Sequence, residues 1–288
     1  MRDPFKLTGP TCLSFSGGRT SAYMLWRVLQ ANTREDIARW LIVCFANTGK
    51  EDENTLQFVA RCSYEWDVRI VWLEYLGEDD RMFRAFTDPR WAMREGEPFT
   101  ALIRRRRFLP NPVTRFCTSE LKIRTMHRYL RAFHVWPEWD QFIGIRADEQ
   151  RRVAKIRARG TSTETKDETM CIPLADAGVT LQEVDEFWST QSFKLELTTV
   201  NGKTLDGNCD LCFCKPPAQR LALIARKPER AVWWIAQEDW AASISDKPAG
   251  ARFNKYGEAS YAQLAQFAAE QRDMFDHDQE ALACFCGD

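Results

Sequence analysis

The sequence contains no apolar run long enough to span a lipid bilayer, no secretory signal at its start, and no repeat or low-complexity tract. Its 288 residues carry a net charge of only −1, with 44% hydrophobic and 28% charged residues. These proportions are typical of a soluble globular protein. We therefore expect a cytoplasmic protein without a membrane partner, built as one large domain or as one domain with an appendage.

The sequence also lacks the distribution of cysteines expected of a secreted protein. It has ten cysteines, and in a cytoplasmic protein these are rarely structural disulfides. Several of them are clustered late in the chain, and clustered cysteines favour metal binding or catalysis.

The near-zero net charge conceals a strongly basic segment. Residues 104–159 contain 15 Lys and Arg against 5 Asp and Glu. Such a segment in a near-neutral protein favours a polyanionic ligand, either a nucleotide or a nucleic acid. A solvent-exposed basic face is the alternative interpretation.

A short glycine-containing segment near the start of the chain predicts an anion site. Residues 11–15 are β-competent, and apolar residues recur at helical spacing from Met24 to Leu29. The intervening turn would therefore present backbone amides and the positive end of a helix dipole to a ligand such as phosphate. An ordinary βα turn is the alternative, and the Gly-Lys-Ser/Thr of a Walker loop is absent. The candidate nucleotide-binding residues here are Ser14, Ser16, Gly17, Gly18, Arg19, Thr20 and Ser21.

Further apolar runs at Leu41–Ala46, 68–75 and 141–145 alternate with helical patterns. This alternation predicts an α/β fold, a Rossmann-like parallel sheet with flanking helices, plus a small helical C-terminal region. We expect a nucleotide-binding domain over residues 1–200 and a cysteine-containing helical region over residues 201–288.

Ligands of parallel sheets bind at the carboxyl ends of the strands. Two more groups of candidates for the nucleotide site follow predicted strands there. The first is Asn47, Thr48 and Gly49, and the second is Gly144, Arg146 and Arg152. An arginine side chain suits phosphate because its planar fork matches the oxygens and keeps its charge.

A second signal is the C-x-x-C-x-C pattern formed by Cys209, Cys212 and Cys214, with Cys284 and Cys286 at the end of the chain. C-x-x-C spacing allows two thiolates to bind one metal centre. The cysteine pattern by itself is compatible with a zinc ion, an iron–sulfur cluster or a redox dithiol. A thioredoxin-type dithiol, however, would be expected near the first βαβ unit.

Together these motifs resemble the PP-loop superfamily of adenine-nucleotide alpha hydrolases. Ser16 to Ser21 resemble the PP-loop itself, and Thr20 at its fifth position resembles the sulfonucleotide (PAPS/APS) reductase branch. A cysteine followed by a basic residue on a helix, here Cys117 and Lys122, and a later C-x-x-C extend the likeness over about residues 11–215. The adjacent cysteine pair and the Glu-Cys-Gly-x-His tail of that family are absent.

The resemblance implies a 4Fe-4S cluster and a reaction. Its ligands would be Cys117, Cys209, Cys212 and Cys284. Cys214, Cys286 or an open iron site are the other choices for the fourth position. Cys286 would be the reactive thiol and Lys122 a catalytic residue. The protein would bind an adenine nucleotide (ATP, APS or PAPS) and reduce an adenylyl sulfate to sulfite, using a thiol electron donor.

Two other functions are compatible with the same resemblance. One is an ATP-dependent PP-loop thiolase or ligase, whose basic segment 104–159 would contact RNA or DNA. The other is a nucleotide-binding iron–sulfur protein without turnover.

Overall fold

Six segments pair into one sheet in the computed structural model, which describes residues 3–77, 82–134, 136–161, 166–200, 203–247, 251–255 and 257–270. The strands are β1 (Thr11–Ser14), β2 (Leu41–Ala46), β3 (Ile70–Tyr75), β4 (Phe83–Phe86), β5 (Trp139–Ile143) and β6 (Glu168–Cys171). A separate ribbon pairs β7 (Thr199–Val200) with β8 (Lys203–Thr204).

The strand order is β4-β3-β2-β1-β5-β6, and every pairing is parallel except that of β3 with β4. Strand β1 is central, with Ser14 at its carboxyl end level with Cys44 on β2 and Ile143 on β5. The chain leaves β1 towards β2 on one side, whereas β5 and β6 extend the sheet on the other. The predicted α/β fold is confirmed, and the crevice expected where strand order reverses lies at the ends of β1 and β5.

Helices connect the strands and form most of the C-terminal region. They are α1 (Arg19–Ala31), α2 (Arg34–Trp40), α3 (Glu53–Glu65), α4 (Glu97–Arg106), α5 (Arg124–Phe133), α6 (Gln150–Arg159), α7 (Pro173–Asp176), α8 (Leu181–Thr190), α9 (Pro217–Arg226), α10 (Arg230–Ser243) and α11 (Tyr261–Glu270). A 3₁₀ turn spans Pro89–Trp91 and a π-helix spans Thr118–Ile123. Within the described ranges, no helix is long and apolar enough to cross a membrane.

Two large apolar clusters account for most of the core. The first joins β1, β2 and β3 to α1, α3 and α8, with Phe45, Trp72 and Trp188 among its buried rings. The second joins Tyr75 and Phe99 to the cysteine segment and to the helices after residue 217. The described part of the C-terminal region therefore packs on residues 75–121, and the division at residue 200 stays a prediction.

Buried ion pairs fasten this C-terminal region to the loop after β2. Arg230 lies between Asp52 and Asp206, with side chains that are 10%, 6% and 5% exposed. The Arg230 Nη1 atom is 2.6 Å from Asp206 Oδ1. Pairs of this kind stabilise little in themselves, but breaking one leaves buried charges without a partner.

We expect Arg230→Ala to lower the free energy of unfolding by about 3 kcal/mol, the low end for a broken buried pair, because it leaves two carboxylates behind. Lys227 and Arg226 approach the same carboxylates at 3.9 and 3.6 Å, which limits the loss. Urea unfolding of the purified chain measures it.

The matched control is Arg34→Ala. Arg34 lies 2.6 Å from Asp67, but its side chain is 85% exposed, so the expected loss is below about 1 kcal/mol. Equal losses for the two variants would contradict a structural role for the buried pair.

Candidate functional site

The loop between β1 and α1 is shaped by one glycine in particular. Gly17 has φ +79°, and a Cβ placed on it would lie 2.7 Å from Thr55 Cγ2 and 3.2 Å from Phe45 Cε2. Gly18 caps α1 with ordinary extended backbone, φ −95°. The conformational requirement for glycine therefore falls on Gly17, because only glycine adopts such a φ readily and the space beside it is filled.

Serines close the same loop. The Ser16 amide donates to Ser21 Oγ at 3.2 Å, and Ser21 Oγ donates to the Gly18 carbonyl at 3.0 Å. The first turn of α1 contains no acidic residue, so the positive end of its dipole is not offset locally. This end of the sheet is thus suited to an anion.

A cavity of about 290 Å³ opens beside this loop at the ends of β1 and β5. We call it the switch-point cavity. Its polar end includes Ser14, Ser16, Ser21 and Gly144, its cations are Arg115, Lys122, Lys155 and Arg159, and its apolar wall includes Phe15, Ile123, Met126, Ile143, Ile156 and Met170. Its size is close to the lower end of the range for small-ligand pockets, about 300 Å³.

The structure brings only part of the predicted nucleotide set to this cavity. Ser14, Ser16, Ser21 and Gly144 line it directly. Gly144 allows a close approach, because a Cβ there would lie 3.2 Å from the Ser21 Cα.

The predicted arginines lie around the loop and make ion pairs. Arg146 Nη1 donates to Thr20 Oγ1 at 3.0 Å, and Arg146 Nε lies 3.0 Å from Asp148. Arg19 pairs with Asp185 at 2.8 Å.

Arg152 pairs with Glu149. In the structure Arg146 thus contacts the start of α1, while Arg152 contacts the start of its own helix.

Asn47, Thr48 and Gly49 follow β2 but do not line the switch-point cavity. The buried Asn47 Nδ2 donates to Glu74 Oε1 at 2.6 Å and to the Met93 carbonyl at 2.8 Å, and Asn47 Oδ1 accepts from the Gly49 amide. This segment is directed towards the cysteines instead.

Thr48 makes the contact with the cysteines. Its Oγ1 lies 2.9 Å from the Glu51 carboxylate and 3.4 Å from Cys209 Sγ. The loop after β2 therefore supports the cysteine segment in the described structure.

Four cysteines line a second, smaller cavity, which we call the cysteine cavity. Cys117 comes from the start of the π-helix, and Cys209, Cys212 and Cys214 come from the loop before α9. The last three are 9%, 9% and 5% exposed. The sequence left Cys214 as one of several choices for the fourth ligand, and the structure places it in the same cavity as the other three.

The Cys209–Cys214 loop is fixed against the end of β2. The Asp210 amide donates to the Lys50 carbonyl at 2.7 Å, and the Lys50 Nζ atom is 3.1 Å from Asp210 Oδ2. Trp234 Nε1 donates to the other carboxylate oxygen of Asp210 at 2.8 Å.

The environment of these thiols keeps at least one of them protonated. Burial, and then the nearby Glu51 carboxylate, raise the pKa of the Cys209 thiol well above its ordinary value, while Lys122 opposes the rise. Binding of a metal by such a thiol requires the loss of its proton.

Among the described residues, no group of three or more His, Cys, Asp or Glu side chains converges closely enough to hold a metal ion. None of the eight cysteines in the described ranges is in a disulfide. The predicted fourth ligand Cys284 and the predicted reactive thiol Cys286 lie outside the described residues.

One wall separates the two cavities. Arg115, Thr118 and Lys122 line both of them. Thr118–Ile123 forms the π-helix, in which the Arg124 amide donates to the Ser119 carbonyl, five residues back. π-Helical turns are rare and are frequent at functional sites.

The likeness to the reductase branch placed Cys117 and Lys122 on one helix, and in the structure the turn between them is π-helical. The wider turn places Thr118 and Lys122 between the cavities before the α-helical register resumes at Arg124. Among the cavity residues, Arg115, Thr118, Lys155 and Arg159 were missed. Lys155 and Arg159 carried a signal, since residues four apart share one face of a helix.

Comparison with known proteins gives a family match. Residues 10–196 match the phosphoadenosine phosphosulfate reductase domain. The matched range contains the whole six-stranded sheet, Cys117 and Lys122, and it ends before Cys209. The chain is also 26% identical over 227 residues to the "Uncharacterized nin region protein ORF290" of Escherichia phage lambda, which covers 75% of this chain and 70% of that protein.

We expect Gly17→Ala to weaken the binding of AMP or ATP by at least about tenfold, because the new Cβ strains a left-handed residue and displaces Thr55 from the loop. Isothermal titration calorimetry measures the affinity, and circular dichroism checks the fold. Gly9→Ala is the matched control, since a Cβ there meets nothing within 4 Å. Unchanged affinity in a folded Gly17→Ala protein would remove this loop from the nucleotide site.

Proposed function

The chain belongs to the phosphoadenosine phosphosulfate reductase domain family, and from that premise we propose that it binds an adenylyl sulfate in the switch-point cavity and reduces the sulfuryl group to sulfite. The observation that carries this proposal is the shared wall. Lys122, Thr118 and Arg115 line the cavity suited to the nucleotide and also the cavity lined by cysteines. A nucleotide in the first cavity is therefore next to the thiols of the second.

The switch-point cavity has the parts that a nucleotide requires. Its polar end is formed by the serines of the β1–α1 loop, where helix dipole and hydroxyls favour a phosphate. Its opposite wall is apolar, with Phe15, Ile143 and Met170 available to a base. The cations Lys155 and Arg159 add charge complementary to an anionic ligand.

A small nucleotide explains the basic segment 104–159 better than a nucleic acid does. Part of its positive charge is paired within the chain, because Arg106 and Arg124 pair with Glu120, and Arg157 pairs with Asp176 at 2.9 Å. Four other cations face the switch-point cavity. A nucleic-acid partner stays a prediction from the sequence.

The reaction proposed is a thiol attack followed by reduction. A thiolate, with Cys286 as the predicted group, attacks the sulfur of the sulfuryl group. The bond from that sulfur to the phosphate oxygen breaks, AMP or adenosine 3′,5′-bisphosphate leaves with the electron pair, and an S-sulfocysteine remains. A dithiol donor then supplies two electrons, sulfite is released, the cysteine returns to its thiol form and the donor becomes a disulfide.

In this reaction Lys122 would bind and orient the sulfuryl group. Its ammonium group lies on the wall between the cavities, where it would neutralise the anionic sulfuryl group and bring it towards the thiols. Positioned charge of this kind stabilises the charge that develops on the leaving oxygen.

The donor set of the cysteine cavity is chemically suited to an iron–sulfur cluster. Thiolates are the usual ligands of such clusters, and Cys117, Cys209 and Cys212 would hold it. The space between the thiols is about 20 Å³, so a cluster requires this cavity to widen. When bound, the cluster would supply iron that exchanges electrons and attracts anions.

An anaerobic turnover assay tests the proposal. Full-length protein is incubated with APS, PAPS or ATP and a dithiol donor of the thioredoxin type. We expect sulfite from APS or PAPS in step with donor oxidation. Pyrophosphate from ATP would favour the ATP-dependent ligase instead, and nucleotide binding without any product would favour a non-catalytic protein.

We expect Lys122→Met to lower kcat/KM for sulfite release by about 10- to 100-fold, the range for losing a hydrogen bond to a charged group. Lys122→Arg should recover part of the loss, since it restores the positive charge. Lys194→Met, at an exposed position outside both cavities, is the control. A Lys122→Met enzyme as active as that control would exclude Lys122 from the reaction.

A further inference from the structure

We propose that Cys214, rather than the C-terminal Cys284, supplies the fourth thiol of the cluster site. This inference rests on the cluster named in the proposed function and identifies how this chain completes it. The starting observation is that Cys214 lines the same cavity as Cys117, Cys209 and Cys212 and is only 5% exposed.

The backbone of the loop explains how three cysteines within six residues reach one cavity. The Cys212 amide donates to the Cys209 carbonyl at 3.2 Å, and the Lys215 amide donates to the Cys212 carbonyl at 2.9 Å. Two successive turns thus replace the alternation of an extended strand, in which Cys212 and Cys214 would share one face and Cys209 the other. Asn208, with φ +61°, begins the first turn.

The side chain of the next residue holds this folded loop closed. Lys215 Nζ donates to the Leu205 carbonyl at 2.9 Å and also to the Gly207 carbonyl. The end of the cysteine segment is thereby tied to its beginning. These bonds hold the loop that carries Cys214 against the cavity.

The number and origin of the thiols fit a four-iron cluster. Four thiols from two separate segments line one cavity. A cluster with four irons accepts one thiolate at each corner, so its ligands enclose it.

The other residues around the cavity agree with a thiolate-bound cluster. Among the described residues lining it there is no carboxylate and no imidazole, whereas two cations, Arg115 and Lys122, are present. A cluster held by four thiolates is an anion, and these cations would offset its charge. The donor set is soft, which favours iron–sulfur chemistry over hard metal ions.

The sequence predicted that the C-terminal tail supplies both a cluster ligand, Cys284, and the reactive thiol, Cys286. With Cys214 as the fourth ligand, neither Cys284 nor Cys286 is needed to hold iron. Both C-terminal thiols are then available to react with the substrate or with the thiol donor.

The test compares iron binding in full-length variants purified and reconstituted without oxygen. Iron, acid-labile sulfide and visible absorbance are measured, so activity is not the readout. We expect Cys214→Ser and the positive control Cys209→Ser to lose most iron and sulfide, and Cys284→Ser to match the wild type. Cys171→Ser, a half-buried cysteine outside the cysteine cavity, is the negative control.

A second variant keeps the test decisive if Cys214→Ser does not fold. The double variant Cys284→Ser, Cys286→Ser removes both terminal thiols without touching the described core. Wild-type iron and sulfide in this variant support the inference, and loss of the four-iron signal in it overturns the inference.

Two further outcomes would overturn the inference. Full iron and sulfide in a folded Cys214→Ser protein overturns the inference alone. Zinc, or neither iron nor sulfide, in the reconstituted wild type overturns both the inference and the cluster part of the proposed function. The reaction itself is judged separately, by sulfite release.

Discussion

The buried pair of Lys50 and Asp210 determines where the cysteines lie relative to the sheet. Both side chains are 9% exposed, and the same two residues are joined by a backbone hydrogen bond. Because Lys50 follows β2 within four residues, the pair holds the cysteine loop at the carboxyl edge of the parallel strands. That edge is where a doubly wound sheet binds its ligand. Breaking a buried pair of this kind costs far more than making it contributes, so the chain keeps the loop in one place.

This placement makes the π-helix the boundary between the two cavities. Its residues Thr118 and Lys122 face the switch-point cavity on one side and the thiols on the other. Glu120, 5% exposed, faces Arg106, Arg124 and Arg128, so this carboxylate anchors the same turn to the helices around it. The same turn thus places a cation, Lys122, between the switch-point cavity and a group of thiols. The proposed reaction needs both neighbours of that cation.

The sequence was sufficient for what depends on local pattern. Apolar runs located β1, β2, β3 and β5, and the glycine turn located the loop between β1 and α1. It could not give what depends on distant contacts. Asn47 does not line the switch-point cavity, and its amide binds Glu74 and the Met93 carbonyl instead. Neither partner can be recognised from the local motif. The π-helical turn could not be recognised from the sequence either, because the apolar spacing of the α-helix that follows it is unchanged. Cys214 lies at the cavity in a loop that Lys215 ties to the carbonyls of Leu205 and Gly207, and these contacts cannot be recognised from the cysteine spacing.

We propose that a bound nucleotide presents its sulfuryl group to the wall between the two cavities. An anaerobic crystal structure with APS or a non-reactive analogue measures this directly. We expect the 5′-phosphate at the β1–α1 loop, the base against the apolar wall of the switch-point cavity, and the sulfuryl group within hydrogen-bonding distance of Lys122, about 3 Å. A nucleotide bound elsewhere, or one whose sulfuryl group faces away from Lys122 and the cysteines, would contradict it.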